Sequence, residues 1–185
     1  MKRVFIAIKT EAGGELLRML STLKAMLVSE KIKWVDPANI HLTLAFLGDT
    51  EEKRIKVLTA MLKEKCTGFN DFEFVLAGAG IFKNYRDPKV IWAGITLSDR
   101  LAELNNSIAD GLKENGFNVE EHPFRPHLTI GRIRSIADTE NLKKVLERYR
   151  ETEFQTVPVK EVILFESILM PTGPLYKPLG KFSLK

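Results

Sequence analysis

The sequence is poor in cysteine, and this shortage excludes several kinds of site. Cys66 is the one cysteine among 185 residues, so neither an internal disulfide nor a cysteine-built metal centre can form. A chain with a single thiol fits a reducing compartment, and we expect a cytoplasmic protein. Cys66 lies in the basic tail of a helix-like segment, where we expect a half-buried or surface thiol rather than a nucleophile.

Long apolar runs are also missing. The apolar run near the N-terminus, residues 4–8, is five residues long. It is too short for the core of a secretory signal and for a membrane span. We therefore predict a first β-strand there and no membrane segment in the chain.

Charge of one sign is only slightly in excess. Lys and Arg number 28 against 24 Asp and Glu, which gives a net charge of +4. This balance suits an anionic ligand such as a nucleotide or an RNA end without requiring one. With 44% hydrophobic and 28% charged residues, the chain has the composition of a soluble globular protein and not that of a disordered one.

Strand-like and helix-like segments alternate along the chain. The strand-like segments are apolar or β-branched and end at Gly, Pro, Asp or Asn; they are 4–8, 42–47, 72–77, 90–97, 127–133 and 159–169, the last with a possible break. The helix-like segments have apolar residues at a spacing of three to four; they are 14–30, 51–65, 98–115 and 138–149.

The order of these segments repeats, which indicates a duplication. The spacing from Ala7 to His41 nearly equals that from Gly94 to His127. We predict an α+β fold that is bilobal, with duplicated strand-helix-strand-helix-strand lobes related by a pseudo-two-fold around a central cleft. The pseudo-repeats cover about 1–80 and 88–170 of a single domain spanning 1–185. The lobes join within 78–89, and residues 171–185 form a C-terminal strap.

Two of the three histidines stand in matching motifs, His-Leu-Thr-Leu at 41–44 and His-Leu-Thr-Ile at 127–130. Side chains two apart on a strand share a face, so His41 and Thr43 point into the cleft. The same holds for His127 and Thr129. One imidazole can take a proton from water while the other gives a proton to a leaving oxygen. The threonine hydroxyls can donate to non-bridging phosphate oxygens. This set suits a phosphodiester and requires no metal.

Arginines around the second motif are candidates to hold phosphate. Regular alternation puts Arg132 and Arg134 on the face opposite to the histidine, unless the preceding glycine bends the strand, so a surface role stays open for both. Arg125, just before Pro126, is a further candidate for the cleft. The third histidine, His122, has no counterpart in the first half, and we expect it in a loop or at the surface.

Several aromatic residues are candidates for contacts with a base. Trp34, Tyr85 and Phe124 lie outside the apolar strands and could stack on single-stranded RNA. Phe46 falls on the face opposite to the first motif if its strand is regular, and Trp92 lies within an apolar strand. We expect these two in the core.

The motifs and their flanks resemble a known family. Residues 34–48, Trp-Val-Asp-Pro-Ala-Asn-Ile-His-Leu-Thr-Leu-Ala-Phe-Leu-Gly, and 124–132, Phe-Arg-Pro-His-Leu-Thr-Ile-Gly-Arg, are similar to the two-histidine (2H) phosphoesterases. Within that superfamily they resemble the RNA 2′,3′-cyclic phosphodiesterases, also called 2′-5′ RNA ligases. The start of the chain, residues 3–8, is similar as well, and the resemblance covers essentially the whole chain.

The resemblance implies a bilobal α+β fold, no cofactor, and hydrolysis of a terminal 2′,3′-cyclic phosphate on RNA to a 2′-phosphate. It implies His41 as the proton donor to the leaving 3′ oxygen and His127 as the proton acceptor acting on water. The residues alone leave this order open. The same chemistry in reverse would join a cyclic-phosphate end to a 5′-hydroxyl without ATP.

Other functions fit the same four residues. Expected partners are RNA ends or nucleotides with a 2′,3′-cyclic phosphate. Small cyclic nucleotides, ADP-ribose cyclic phosphates and 2′-5′ linked oligonucleotides are alternative substrates. A non-catalytic RNA-binding module is an alternative of another class. We expect a monomer that does not attach to membranes.

Overall fold

Four α-helices and nine β-strands make up the computed structural model, which describes residues 1–96, 98–119 and 123–185. The helices are α1 (Gly14–Met26), α2 (Glu52–Cys66), α3 (Asp99–Glu114) and α4 (Thr139–Glu147). The strands are β1 (Lys2–Lys9), β2 (Lys31–Trp34), β3 (His41–Thr50), β4 (Phe72–Phe82), β5 (Val90–Ile95), β6 (His127–Ser135), β7 (Glu153–Val159), β8 (Glu161–Met170) and β9 (Gly173–Ser183). The α+β class is therefore confirmed.

Side-chain caps fix the starts of two helices. Ser98 Oγ accepts a hydrogen bond from the Leu101 N–H at 3.2 Å, and Asp138 Oδ1 accepts one from the Asn141 N–H at 2.8 Å. Each cap satisfies a backbone donor that lacks a partner within the first turn. These two helices start within a residue of the predicted limits. In contrast, α1 ends at Met26, before its predicted limit at residue 30.

The strands differ from the prediction in two places. The predicted strand 159–169 is two strands, β7 and β8, that meet at Lys160. The short strand β2 was not predicted, because its partner β6 is remote in the sequence and a four-residue strand leaves little local pattern. The predicted strap is extended and forms β9, which pairs with β8 along its length. The predicted strand 90–97 ends at Ile95 as β5, and Leu97 lies outside the described residues.

All nine strands belong to one antiparallel sheet. Its order is β7-β4-β5-β6-β3-β1-β8-β9, with β2 beside β6. The motif strands β3 and β6 therefore lie at the centre. The outer strands are exchanged: β4 follows β3 in the chain but pairs with β5, whereas β8 follows the second motif but pairs with β1.

The sheet has two unlike faces. Alternate residues of β1 (Val4, Ile6 and Ile8) are at most 2% exposed and belong to the main core, which includes the helices. The residues between them, Phe5 and Ala7, face the other way and form a small second cluster. The other members of that cluster are Ile163 and Phe165, with Tyr176 packed against them. His41 packs on this second face, against Phe5 and Tyr176.

The thiol lies deeper than predicted. Cys66 is 1% exposed at the end of α2 and belongs to the main core, so the prediction of a half-buried or surface thiol is wrong. Burial raises its pKa to about 11, which keeps the thiol protonated at neutral pH. The helix ends at this residue, but the side chain turns inward.

No helix in the described ranges has the length and apolar character needed to cross a membrane.

Candidate active site

The two motifs meet at the centre of the sheet. Leu42 of β3 pairs with Leu128 of β6, and both side chains are buried at 1% or less exposure. Because neighbours on a strand point to opposite faces, the residues on either side of each leucine point to the open face. His41 and Thr43 therefore lie on the same face as the second motif's histidine and threonine, as predicted.

The two imidazoles are held by matching hydrogen bonds. His41 Nδ1 lies 2.7 Å from the carbonyl oxygen of Asn39, and His127 Nδ1 lies 2.7 Å from that of Arg125. A carbonyl can only accept, so Nδ1 carries the proton in both rings. Nε2 is left as the reactive nitrogen of each histidine. Neutral Nε2 can accept a proton, and protonated Nε2 can donate one.

Aromatic side chains support both rings. Phe5 and Tyr176 lie 5.0 and 5.1 Å from His41, measured between ring centroids. Phe82 lies 4.5 Å from His127, edge to face. These contacts fix the ring planes and exclude water from one side of each imidazole. The sequence pattern did not indicate these three residues, because each comes from a strand distant in sequence from the motif that it supports.

The environment favours the neutral form of both histidines. Burial lowers the pKa of His41 below its ordinary value of 6.5; its hydrogen bond to Asn39 opposes this, and the charges of Arg132 and His127 lower the pKa further. Burial also lowers the pKa of His127, with the bond to Arg125 opposing and Arg132 adding to the effect. A nearby phosphate anion would favour the protonated form of either imidazole.

Arg132 belongs to this site, contrary to regular alternation. In the pairing of β5 with β6, Ile91 faces Gly131 and Trp92 faces Thr129, so residue 130 is the extra residue of a β-bulge. The bulge shifts the phase of β6 by one residue, and Arg132 then shares the face of the histidines. Its charge acts on both imidazoles. The irregularity expected at Gly131 is present as a β-bulge at residue 130, directly before it.

The same irregularity occurs in β3 and corrects a second prediction. Ala7 faces Thr43 and Ile6 faces Ala45, which leaves residue 44 as an extra residue. Phe46 is then turned to the open face, where it is 52% exposed and lies 5.6 Å from Phe5. The prediction that Phe46 is a core residue is wrong. Phe46 and Arg132 occupy equivalent places after the two motifs.

The remaining predicted residues are placed differently. Arg125 is exposed, and its carbonyl orients His127. Phe124, Trp34 and Tyr85 are partly buried against the main core. The Trp34 ring also covers Gly131, where an added Cβ would come within 3.1 Å of it. Their roles in substrate binding stay predictions. Arg134 is exposed, and His122 lies outside the described residues. Trp92 is half-buried beside Phe82 and does not belong to the main core, so the prediction that it is a core residue is wrong.

A cavity of about 220 Å³ opens beside His41. It lies over the strands β1, β8 and β9, and Lys9 and Lys181 are among its lining residues. Over residues 1–96, 98–119 and 123–185, no three His, Cys, Asp or Glu side chains gather where they could hold a metal ion.

The chain is similar to known proteins over most of its length. Residues 21–167 match the model of the 2′-5′ RNA ligase superfamily. The RNA 2′,3′-cyclic phosphodiesterase of Thermotoga maritima is 35% identical over 179 residues, covering 96% of this chain and 92% of the relative. The enzyme of the same description from Methanothermobacter thermautotrophicus is 30% identical over 184 residues, covering 98% of both.

Solved structures show the same fold. The TT0787 protein of Thermus thermophilus is 27% identical with a TM-score of 0.80, covering 98% of this chain and 97% of that one. E. coli LigT in complex with 3′-AMP is 25% identical with a TM-score of 0.76, covering 100% of this chain and 98% of that one.

Proposed function

Since the chain belongs to the 2′-5′ RNA ligase superfamily and is an RNA 2′,3′-cyclic phosphodiesterase, we propose that His41 and His127 carry its reaction as a proton donor and a proton acceptor. The observation that carries this proposal is the matched pair of imidazoles. Each has Nδ1 bound to a carbonyl and Nε2 free for proton transfer. The positive charge of Arg132 lowers the pKa of both imidazoles.

The proposed reaction is an in-line displacement at phosphorus. His127 Nε2 takes a proton from water as the water oxygen bonds to phosphorus. The bond from phosphorus to O3′ breaks, and His41 Nε2 gives its proton to O3′. The product is a 2′-phosphate with a free 3′-hydroxyl. His127 ends protonated and His41 neutral, so proton exchange with solvent restores the starting state.

The hydroxyls and the guanidinium act on the phosphate in this proposal. Thr43 and Thr129 donate hydrogen bonds to the non-bridging oxygens of the phosphate. Arg132 offsets the negative charge of these oxygens, most strongly in the transition state. Arg125 adds a cation at the edge of the site. No metal takes part. Phe124 and Trp34 are proposed to contact the nucleoside, and a nucleotide ligand is supported by the 3′-AMP bound to the E. coli relative.

The two halves are proposed to be a duplication with pseudo-two-fold symmetry around the cleft. The strand order supports this: outward from β3 and β6 come β1 and β5, then β8 and β4, then β9 and β7. Each step adds one strand to either side. The β-bulges at the ends of the two motifs also correspond under this symmetry. So do the hydrogen bonds from each imidazole Nδ1 to a backbone carbonyl. The lobes of one bilobal domain would then present one motif each.

Ligation is proposed as a second capacity of the site, with another nucleophile in the same displacement. A 5′-hydroxyl in place of water would attack the same phosphorus and form a 2′-5′ phosphodiester, with O3′ again protonated by His41. No nucleoside triphosphate is needed, because the strained cyclic phosphate supplies O3′ as the leaving group. We expect the protein to act on RNA ends as a cytoplasmic monomer.

Loss of either histidine tests the mechanism. We expect His41→Ala and His127→Ala each to lower kcat/KM by about 10²-fold or more, since each removes one proton transfer. The measurement is the opening of an oligonucleotide 2′,3′-cyclic phosphate, with and without a chelator, followed by identification of the product as a 2′- or 3′-phosphate. His122→Ala removes the histidine without a counterpart and is the matched control. Unchanged rates in both variants, or dependence on a metal, would contradict the mechanism.

A further inference from the structure

The cavity beside His41 has a composition that suits part of a nucleotide. One wall is apolar and consists of Ile163, Phe165, Tyr176 and Pro178, whereas Lys9 and Lys181 bring positive charge to its lining. At about 220 Å³ it is smaller than the roughly 300–1,000 Å³ of pockets that enclose a whole drug-sized ligand. An apolar wall with cations beside it fits a sugar or base next to a phosphate.

The proposed direction of proton transfer places the terminal nucleoside on the same side as the cavity. His41 protonates O3′, and O3′ belongs to the terminal ribose of the RNA. The terminal nucleoside must therefore lie on the His41 side of the phosphate, and water must enter on the His127 side. The cavity is on the nucleoside's side, since His41 is one of its lining residues.

Lys9 is placed to meet the next phosphate along the RNA. It is the Cα partner of His41 in the pairing of β1 with β3, and Cα atoms of antiparallel partners are about 4.5–5.5 Å apart. Alternation along β1 puts Lys9 on the face of Phe5 and Ala7, which is the face of the site. Its side chain is exposed and lines the cavity together with His41.

The two lysines differ in how much of their charge is available. Lys181 Nζ lies 3.2 Å from Glu161 Oε1, and this carboxylate offsets much of its charge. Lys9 has no acidic side chain within ion-pair distance among the residues that the structure describes. Lys9 is therefore the stronger candidate for an incoming anion.

We propose that the Lys9 ammonium binds the phosphodiester on the 5′ side of the terminal nucleoside, so that this cavity makes the enzyme selective for RNA ends over free cyclic nucleosides. The inference rests on the proposed function, because it uses His41 as the donor to O3′. The recognised group is a singly charged phosphodiester or a terminal 5′-phosphate. A nucleoside 2′,3′-cyclic phosphate has neither group at its 5′ oxygen.

Three substrates and one substitution test this inference. The substrates are adenosine 2′,3′-cyclic phosphate, its 5′-phosphorylated form, and a dinucleotide that ends in the same cyclic phosphate. For the wild-type protein, kcat/KM is expected to be about tenfold higher for the two substrates with a 5′ phosphate, and to lose that advantage as salt is raised. Lys9→Ala is expected to remove the advantage, so that its kcat/KM becomes about equal for the three substrates. Lys9→Arg should keep it.

The controls separate the possible failures. Lys24→Ala removes an exposed lysine on α1 and should change no rate, and melting temperatures of all variants report intact folding. Equal loss on all three substrates, or no loss on any, would overturn the role of Lys9. If the wild type opened none of the substrates, the proposed function would fail together with this inference. Turnover that ignores the 5′ phosphate would overturn the inference alone.

Discussion

A single backbone carbonyl sets the chemistry of each histidine. The carbonyls of Asn39 and Arg125 hold Nδ1 of the two rings at 2.7 Å, so each imidazole presents only Nε2 to a substrate. The identities of His41 and His127 could be predicted from the repeated motif. The tautomers could not, because they depend on where the chain turns just before each strand.

The charge of Arg132 should control the pH dependence. Because the pKa of both histidines is lowered from 6.5, partly by Arg132, we expect the bell-shaped profile of kcat/KM to be centred on the acid side of that value. Arg132→Gln removes a charge that disfavours the imidazolium, so both limbs should move to higher pH. The measurement is kcat/KM between about pH 4 and 9, whose two apparent pKa values belong to the pair.

Arg132→Lys is the matched control, since it keeps the charge and loses the bidentate geometry. Its rate should fall while the limbs stay near those of the wild type. A flat profile would contradict paired proton transfer. Limbs that moved to lower pH in Arg132→Gln would contradict the assignment of Arg132 to the site.

At the scale of elements, the bulges decide which side chains meet. The period of two correctly predicted the faces of the motif residues, because the pattern is regular up to residues 43 and 129. An extra residue at the end of each motif, 44 in β3 and 130 in β6, then brought Phe46 and Arg132 to the open face. A bulge has no clear sequence signal here, and this is why alternation was wrong for Phe46.

Close packing of β4 on β5 should be sensitive to a single methyl group. An added Cβ at Gly94, the Cα partner of His127, would lie 2.4 Å from the backbone carbonyl oxygen of Ala77. Backbone cannot move aside as a flexible side chain can, so we expect Gly94→Ala to destabilise the fold by about 1–3 kcal/mol. Thermal or urea unfolding measures this.

Gly14→Ala is the control for that substitution. The new methyl group has nothing within 4 Å, and the position is the first residue of α1. Stability should be unchanged or slightly higher, since alanine favours a helix over glycine by about 1 kcal/mol or less. Equal effects of the two substitutions would argue against the close approach at Gly94.

At the scale of the whole molecule, the sheet ties the two halves together. Strand β4 pairs with β5 and β7, which both come from the second half of the chain. Strand β8, also from the second half, pairs with β1. The alternation of strands and helices was predictable from local pattern. The exchange of outer strands was not, because the strand pattern shows which residues form strands and not which strands pair.

This exchange predicts that neither half folds alone. A chain cut between residues 84 and 85, in the connection from β4 to β5, should give an N-terminal piece with an unpaired β4 that aggregates or stays unfolded. The two pieces refolded together should recover circular dichroism and turnover, with the uncut chain as the reference. A cooperative unfolding transition in the isolated N-terminal piece would contradict the prediction.

The enclosed Cys66 has a practical consequence for work with labelled protein. Since this residue is 1% exposed and its pKa is about 11, a maleimide dye at neutral pH finds no accessible thiolate on the native chain. A cysteine introduced at a surface position such as Leu169, which is 74% exposed on β8, would carry a single fluorophore. The arrival and departure of RNA could then be followed by fluorescence without first removing the native sulfhydryl.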